Sequence, residues 1–186
     1  MTLPTLAGLK VRLCPKSAAD ARSDYRWQKD AELMALNGNE PLRESFLDYL
    51  TLSAADYGTA NGMEMFAIRT LSENRHIGNC ALYQLDHAAG EAQLGITLGE
   101  RDCWGHGYGH DAMMTMVNYA LESLGLVRLH LKTLENNDRA RRCFEKCGFS
   151  PYGKLLHEGH QYILMELRAA SMPSPAEDQA PGKMLS

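Results

Sequence analysis

Ile96-Thr97-Leu98-Gly99-Glu100-Arg101-Asp102-Cys103-Trp104-Gly105-His106-Gly107-Tyr108-Gly109-His110-Asp111-Ala112 reads as a strand end, a short polar loop, three glycines at alternate positions and a helix start. Those glycines permit a tight turn and leave several N–H groups pointing one way, with no Cβ in the path of a ligand. The helix that follows opens with unpaired amides at the positive end of its dipole. The stretch therefore suits a bound phosphate or pyrophosphate.

Downstream, Met113, Met116, Val117, Ala120, Leu121 and Leu124 form one apolar helical stripe, stopped by Gly125. Leu129, Leu131 and Thr133 then alternate with Arg128, His130 and Lys132, the pattern of a half-buried strand. Asn137 can cap a second helix with inner face Ala140, Cys143, Phe144 and Cys147, ended by Gly148. Two strands at about 152–156 and 161–167 form a closing hairpin. Upstream, 11–14 reads as a strand and 18–36 and 42–52 as helices around the turn Asn37-Gly38-Asn39. Strands at 65–71, 77–85 and 92–98 make a meander that ends at the glycine loop. The economical way to bury these stripes is one α/β (α+β) domain over 1–168, a mixed sheet with helices on both faces. Residues 169–186, rich in Pro, Ala and Ser, read as a disordered tail.

The chain has 186 residues, 45% hydrophobic and 23% charged, enough for one domain with a real core. No apolar run can cross a bilayer, and Met1-Thr2-Leu3-Pro4 lacks a basic segment followed by an apolar one. Cytoplasmic residence with no membrane partner is the expectation. A net charge of −4 argues against nucleic acid and is compatible with a cationic acceptor. The five cysteines show no zinc-ligand spacing, so no metal is expected. Cys143 and Cys147, one helical turn apart, read as small buried residues before they read as a redox pair.

Three readings of the loop compete on spacing alone. A nucleotide P-loop fails, because no Lys-Ser or Lys-Thr follows the glycines. A dinucleotide fingerprint needs G-x-G-x-x-G directly at a strand end, whereas here the spacing is G-x-G-x-G and six residues, Gly99 to Trp104, intervene. Glu135 ends the next strand roughly where a ribose-binding acid would sit, so the dinucleotide reading stays open, as does a purely structural glycine turn.

Trp104-Gly105-His106-Gly107-Tyr108-Gly109 resembles the acetyl-CoA loop of the GNAT acetyltransferase superfamily, Arg/Gln-x-x-Gly-x-Gly/Ala, with Trp104 at the Arg/Gln position. That variation occurs in the branch acting on ribosomal-protein N-termini, spermidine and antibiotics. Further motifs agree in order. Arg12-Leu13-Cys14-Pro15 with Asp20 resembles L-R-P…D-A, and Trp27-Gln28-Lys29-Asp30-Ala31-Glu32 resembles W-x-x-D-x-E. Ala92-Gln93-Leu94-Gly95-Ile96 resembles A-E-I-G-Y, and Gly125-Leu126-Val127-Arg128-Leu129 resembles G-L-x-R-L/I. Asn137 to Ala140, followed by Phe144-Glu145-Lys146-Cys147-Gly148-Phe149, resembles N-x-x-S/A-x-x-x-Y/F-E-K-x-G-F.

The resemblance implies a mostly antiparallel mixed sheet whose fourth and fifth strands splay, and acetyl transfer from acetyl-CoA to a primary amine by direct attack. The acceptor would be a protein N-terminus, a polyamine or an aminoglycoside-like small molecule, and the enzyme a monomer or homodimer. Implied coenzyme contacts are Ile96, Thr97 and Leu98 along the pantetheine arm and Trp104, Gly105, His106, Gly107, Tyr108, Gly109 and His110 at the pyrophosphate. Asn137, whose plain alternative is a helix cap, and Phe144 complete the set.

Proton handling departs from the family pattern. Phe144 stands where many relatives carry a Tyr acid, Ala140 removes a hydroxyl, and Gln93 replaces a common Glu. These changes motivate the alternative of a non-catalytic acetyl-CoA-binding regulatory module. Glu158, in the closing hairpin, is the candidate base or amine anchor, against a surface turn residue. Trp27, Asp30 and Glu32 are the candidate cation-friendly acceptor wall, against a core tryptophan with a solvated acidic face.

Overall fold

The computed structural model describes residues 3–53 and 63–169. Within them β1 (Leu6–Ala7) and β2 (Val11–Pro15) lead through a single 3-10 turn to α1 (Ala21–Gln28), α2 (Ala31–Leu36) and α3 (Phe46–Ser53). The meander β3 (Glu64–Thr70), β4 (His76–Asp86) and β5 (Glu91–Leu98) delivers the chain to the glycine loop and α4 (Tyr108–Asn118). β6 (Arg128–Leu134), α5 (Asp138–Lys146), β7 (Ser150–His157) and β8 (His160–Arg168) complete one eight-stranded sheet, ordered β1-β2-β3-β4-β5-β6-β8-β7. The proposed tail lies outside the described residues, apart from Ala169.

Three expectations change in detail. The helix anticipated over 18–36 is broken, because Asp30 adopts an extended backbone and its carboxylate accepts from the N–H groups of Glu32 and Leu33. That is a helix N-cap, and it starts α2 afresh. The helix anticipated at 42 begins at Phe46, after Ser45 caps it by accepting from the Asp48 N–H. The stripe on α4 stays in phase only to Asn118, after which Tyr119–Ser123 winds as a π-helix. This rotation buries Tyr119, whose ring meets Phe66 edge-on at 5.9 Å.

One face of the sheet packs on α4, with Leu13, Phe66, Ile68, Ile77, Leu82 and Leu94 against Met113, Met116 and Val117. α1 and α2 cover part of the opposite face through a small cluster of Trp27, Leu33 and Met34. The feature that positions the site is the β5–β6 junction. These parallel strands pair only at Glu91, Ala92 and Gln93 with Arg128, Leu129 and His130, then diverge. Beyond Gln93 the β6-facing edge of β5 has no strand partner, and its main-chain groups open into a gap.

β1 is too short for sequence patterning to reveal, and a carboxylate holds it. Asp111, in the first turn of α4, accepts from the N–H groups of Leu9, Lys10 and Val11 at 3.0, 2.7 and 2.9 Å. Charge-assisted bonds of this kind contribute about 1.5–3 kcal/mol each when intact, less where water competes. Asp111→Ala is expected to lower unfolding stability by about 2–3 kcal/mol in urea titration. A loss below about 0.5 kcal/mol would mean that water replaces the clamp at no cost.

Candidate active site

The gap between β5 and β6 opens into a cavity of about 1060 Å³ that crosses the sheet from the α1–α2 side to α5. At one end lies the glycine loop. Gly105 and Gly107 have φ of +79° and +85°, and Gly107 is the N-cap of α4 with no side chain to satisfy the first amides. A Cβ at Gly105 would meet no protein atom within 4 Å, so that side of the loop is open. The Lys10 ammonium donates to the His106 carbonyl at 2.9 Å and braces the turn from behind. Gly105, Gly107, Gly109 and His110 line the cavity, whereas His106 and Tyr108 do not. α5 adds Arg139, Arg142 and Lys146 to the rim. Unpaired helix-start amides beside three cationic side chains make an anion cradle.

Trp104 lines the cavity with its N–H already committed to the Leu98 carbonyl at 2.9 Å. Its ring carries the Arg139 guanidinium at 3.6 Å from the centroid, a stacked cation–π contact. Ile96, Thr97 and Leu98 line the gap along β5. Asn137 both caps α5, accepting from Ala140 N–H at 3.2 Å, and donates to the Leu36 carbonyl at 3.1 Å while facing the cavity. Phe144 is buried, edge-packed on Phe149, and faces the cavity from α5.

The acceptor wall needs correction. Trp27 lines the cavity, but Asp30 and Glu32 do not. Arg101 engages both, donating to the Asp30 carboxylate at 2.7 and 2.8 Å and to Glu32. The Arg101 hydrogen bond, then the α2 cap, hold the Asp30 carboxyl below its ordinary pKa. These acids staple the glycine loop to α1 and α2. Glu100, absent from the sequence expectations, does the same, accepting from Trp27 Nε1 at 2.9 Å, from Arg75 at 2.8 Å and from Arg26. Its signal was the acidic loop residue that follows Gly99, which spacing alone does not distinguish from solvated charge.

Glu158 also stands elsewhere. With Gly159 it forms the tight β7–β8 turn, both at positive φ (+48° and +79°), and it is exposed and outside the cavity lining. The plain turn reading describes that geometry. Protic side chains that face the cavity include Tyr83, Tyr162 and Cys143. Burial raises the Tyr83 phenol pKa, and the hydrogen bond with Cys147 lowers that of Cys143.

At the closed end of the gap, Arg128 donates to Glu166 and Glu91, each at 2.7 Å. Burial, then Arg128, hold the His130 pKa below its usual 6.5. An unfolded chain takes up that proton more readily, so His130 contributes stability above about pH 6.5 that is lost as pH falls. Glu166, depressed by Arg128 and then Arg168, adds a further loss only below its usual 4.5. His130→Gln is expected to flatten the Tm-versus-pH curve between pH 7 and 5 and to leave the steeper fall below. An unchanged slope in that window would remove His130 from the account.

A family model for the acetyltransferase (GNAT) domain matches residues 10–150. The chain belongs to the GNAT acetyltransferase family. It is an N-acetyltransferase with the single GNAT fold. This GNAT chain is 27% identical over 153 residues to human alpha/beta-tubulin-N-acetyltransferase 9, covering 77% of this chain and 74% of that protein. It superposes on the spermidine N-acetyltransferase of Vibrio cholerae, solved with CoA and spermine, at TM-score 0.77 and 20% identity, covering 87% and 96% of the two chains. A GNAT-family acetyltransferase from Bacillus anthracis gives TM-score 0.76 at 13% identity, covering 89% and 98%. At these identities the structural likenesses speak for the GNAT fold.

Proposed function

We propose that this GNAT enzyme binds acetyl-CoA in the cavity, with the diphosphate on the amides of 105–110 and the pantetheine arm along 96–98. The observation that carries this reading is the N-cap glycine of α4, side-chain-free and at positive φ, opening onto a gap where β5 has lost its neighbour. Arg139, Arg142 and Lys146 stand where phosphate charge would need them. Trp104 contributes by position: its N–H is spent on Leu98, and its ring seats Arg139.

When bound, acetyl-CoA supplies an acetyl group on a good leaving thiolate. The amine nitrogen forms the new C–N bond as the C–S bond breaks, the nitrogen gives up one proton, and the sulfur gains one. The released edge of β5 offers main-chain N–H groups toward the carbonyl oxygen, the place for charge stabilisation. Phe144 and Gln93 leave the usual family acid and base positions without a titratable group. The carboxylates and imidazole that do line the cavity, among the described residues, are Asp24, tied to Lys16, Glu40 at the exposed rim and His110 beside the glycine loop, so water carries protons between amine and thiolate. The acceptor is a primary amine, whether a protein N-terminus, a polyamine or an aminoglycoside-like molecule, approaching from the α1–α2 side.

The test is acetyl-CoA turnover with an amine panel, read as free thiol. Amine-dependent thiol release together with stoichiometric acetyl-CoA binding is expected. Tight binding with no release above background for any amine would favour the regulatory-module reading. No binding at all would end both.

A further inference from the structure

On the acceptor side of the cavity stands a buried ion pair that neither the coenzyme nor the core requires. Lys16 Nζ lies 2.9 Å from Asp24 Oδ2, the two side chains are 8% and 1% exposed, and both residues line the cavity. Asp24 is held from behind by a relay. Its Oδ1 accepts from Asn79 Nδ2 at 2.7 Å, Asn79 Oδ1 meets His76 Nε2 at 3.0 Å, and His76 Nδ1 faces Asp20 at 3.5 Å. Burying an ion pair contributes little net stability, because desolvation offsets the attraction. A pair positioned this closely at a cavity wall is explained better by what it presents to the cavity.

Sheet register says what lies beside it. The Lys16 N–H donates to the Met65 carbonyl, Met65 is in register with Ala81, and Ala81 with Gly95. Across the opening, Lys132 lies two residues beyond the last β5–β6 pair, as Gly95 does on β5, and its ammonium sits 4.9 Å from the Tyr162 ring centroid. Ala81 and Gly95 thus form a low floor between two lysines, next to the strand segment assigned to the thioester arm. The carboxylates that would welcome a polyamine, Asp30 and Glu32, are bound to Arg101 outside the cavity. Of the charges that do line the acceptor side, Asp24 is matched by Lys16 and Glu40 is exposed and paired with Arg43, while Lys132 has no carboxylate partner among the described residues, so the balance there leans positive. A multiply charged cation is disfavoured there, and an amine that also carries a negative group is favoured.

We infer that Lys16, fixed by Asp24 and aided by Lys132, reads an acidic group on the acceptor, so that the substrate is an amine bearing a carboxylate. The inference rests on the acetyl-transfer reading above and adds the acceptor's chemistry. The carboxylate has two sources, a free amino acid or a peptide with an acidic residue near its N-terminus.

The experiment measures kcat/KM for acetyl transfer to matched pairs: amino acids against their amides, peptides opening with Glu or Asp against those opening with Gln or Asn, and spermidine. Acid-bearing members are expected to exceed neutral partners by at least 10-fold, and spermidine by more. The pair that responds identifies the source. In Lys16→Met the ratio falls to near one, while calorimetry shows unchanged acetyl-CoA affinity. Because that variant strands a buried carboxylate, Lys16→Met combined with Asp24→Leu replaces the pair by apolar groups and keeps the fold testable. A preference for spermidine, no acid preference in the native enzyme, or an acid preference that survives both variants overturns the inference and leaves acetyl transfer standing. No heat of acetyl-CoA binding overturns both.

Discussion

Gly99→Ala is expected to lower the unfolding free energy by about 3 kcal/mol or more, the size of a core overpacking defect. A Cβ at Gly99 would lie 2.0 Å from Cδ2 of Trp27 and 2.1 Å from its Cε2, inside the indole ring. The ring cannot step aside cheaply. Its N–H donates to Glu100, its edge meets His76 at 4.8 Å between centroids, and it anchors the α1–α2 cluster. Gly99 also leads into the loop that reaches Gly105, so the same substitution should weaken acetyl-CoA binding in whatever fraction stays folded. Denaturant titration and calorimetry measure the two effects separately. A variant within 1 kcal/mol of the native protein would show that Trp27 is not packed against this backbone.

Gly107→Val is expected to reduce acetyl-CoA affinity about 100-fold, near 3 kcal/mol, with a smaller effect on stability. At φ +85° a β-branched residue is strained, by roughly 1–3 kcal/mol, and its branches crowd the amides that start α4. The nearest protein atom to a Cβ there is Lys10 Nζ at 3.2 Å, the free end of a flexible chain. The protein therefore accommodates the new side chain better than a diphosphate would. Affinity retained within threefold would place the coenzyme elsewhere.

How much of this was legible depended on whether local pattern or remote geometry decided each residue. The meander, α4, β6, α5 and the closing hairpin follow from periodicity and glycine stops, because each buries one face against the same sheet. The break at Asp30 was written in the sequence as an N-cap residue, but the continuous pattern over 18–36 concealed it. The π-helical turn at Tyr119–Ser123 left no local sign, since Phe66 draws Tyr119 inward from a distant strand. The glycine loop was legible because backbone conformation needs glycine wherever it occurs. The acceptor side was not. Asp30 and Glu32 looked available until Arg101, some seventy residues away, was seen to hold them. Lys16 and Asp24 carry no local signal in the sequence; they become a buried pair only once the sheet and α1 enclose them.

In the proposed function, main-chain amides at the start of α4 hold the diphosphate of acetyl-CoA. Calorimetric titration of the native enzyme and of Gly107→Val with acetyl-CoA and with S-acetylpantetheine, which lacks the diphosphate and nucleotide, tests it most directly. The native enzyme is expected to bind acetyl-CoA far more tightly than the truncated thioester, and Gly107→Val to remove most of this difference without weakening the truncated ligand. Equal weakening of both ligands, or an undiminished difference in the variant, would contradict it.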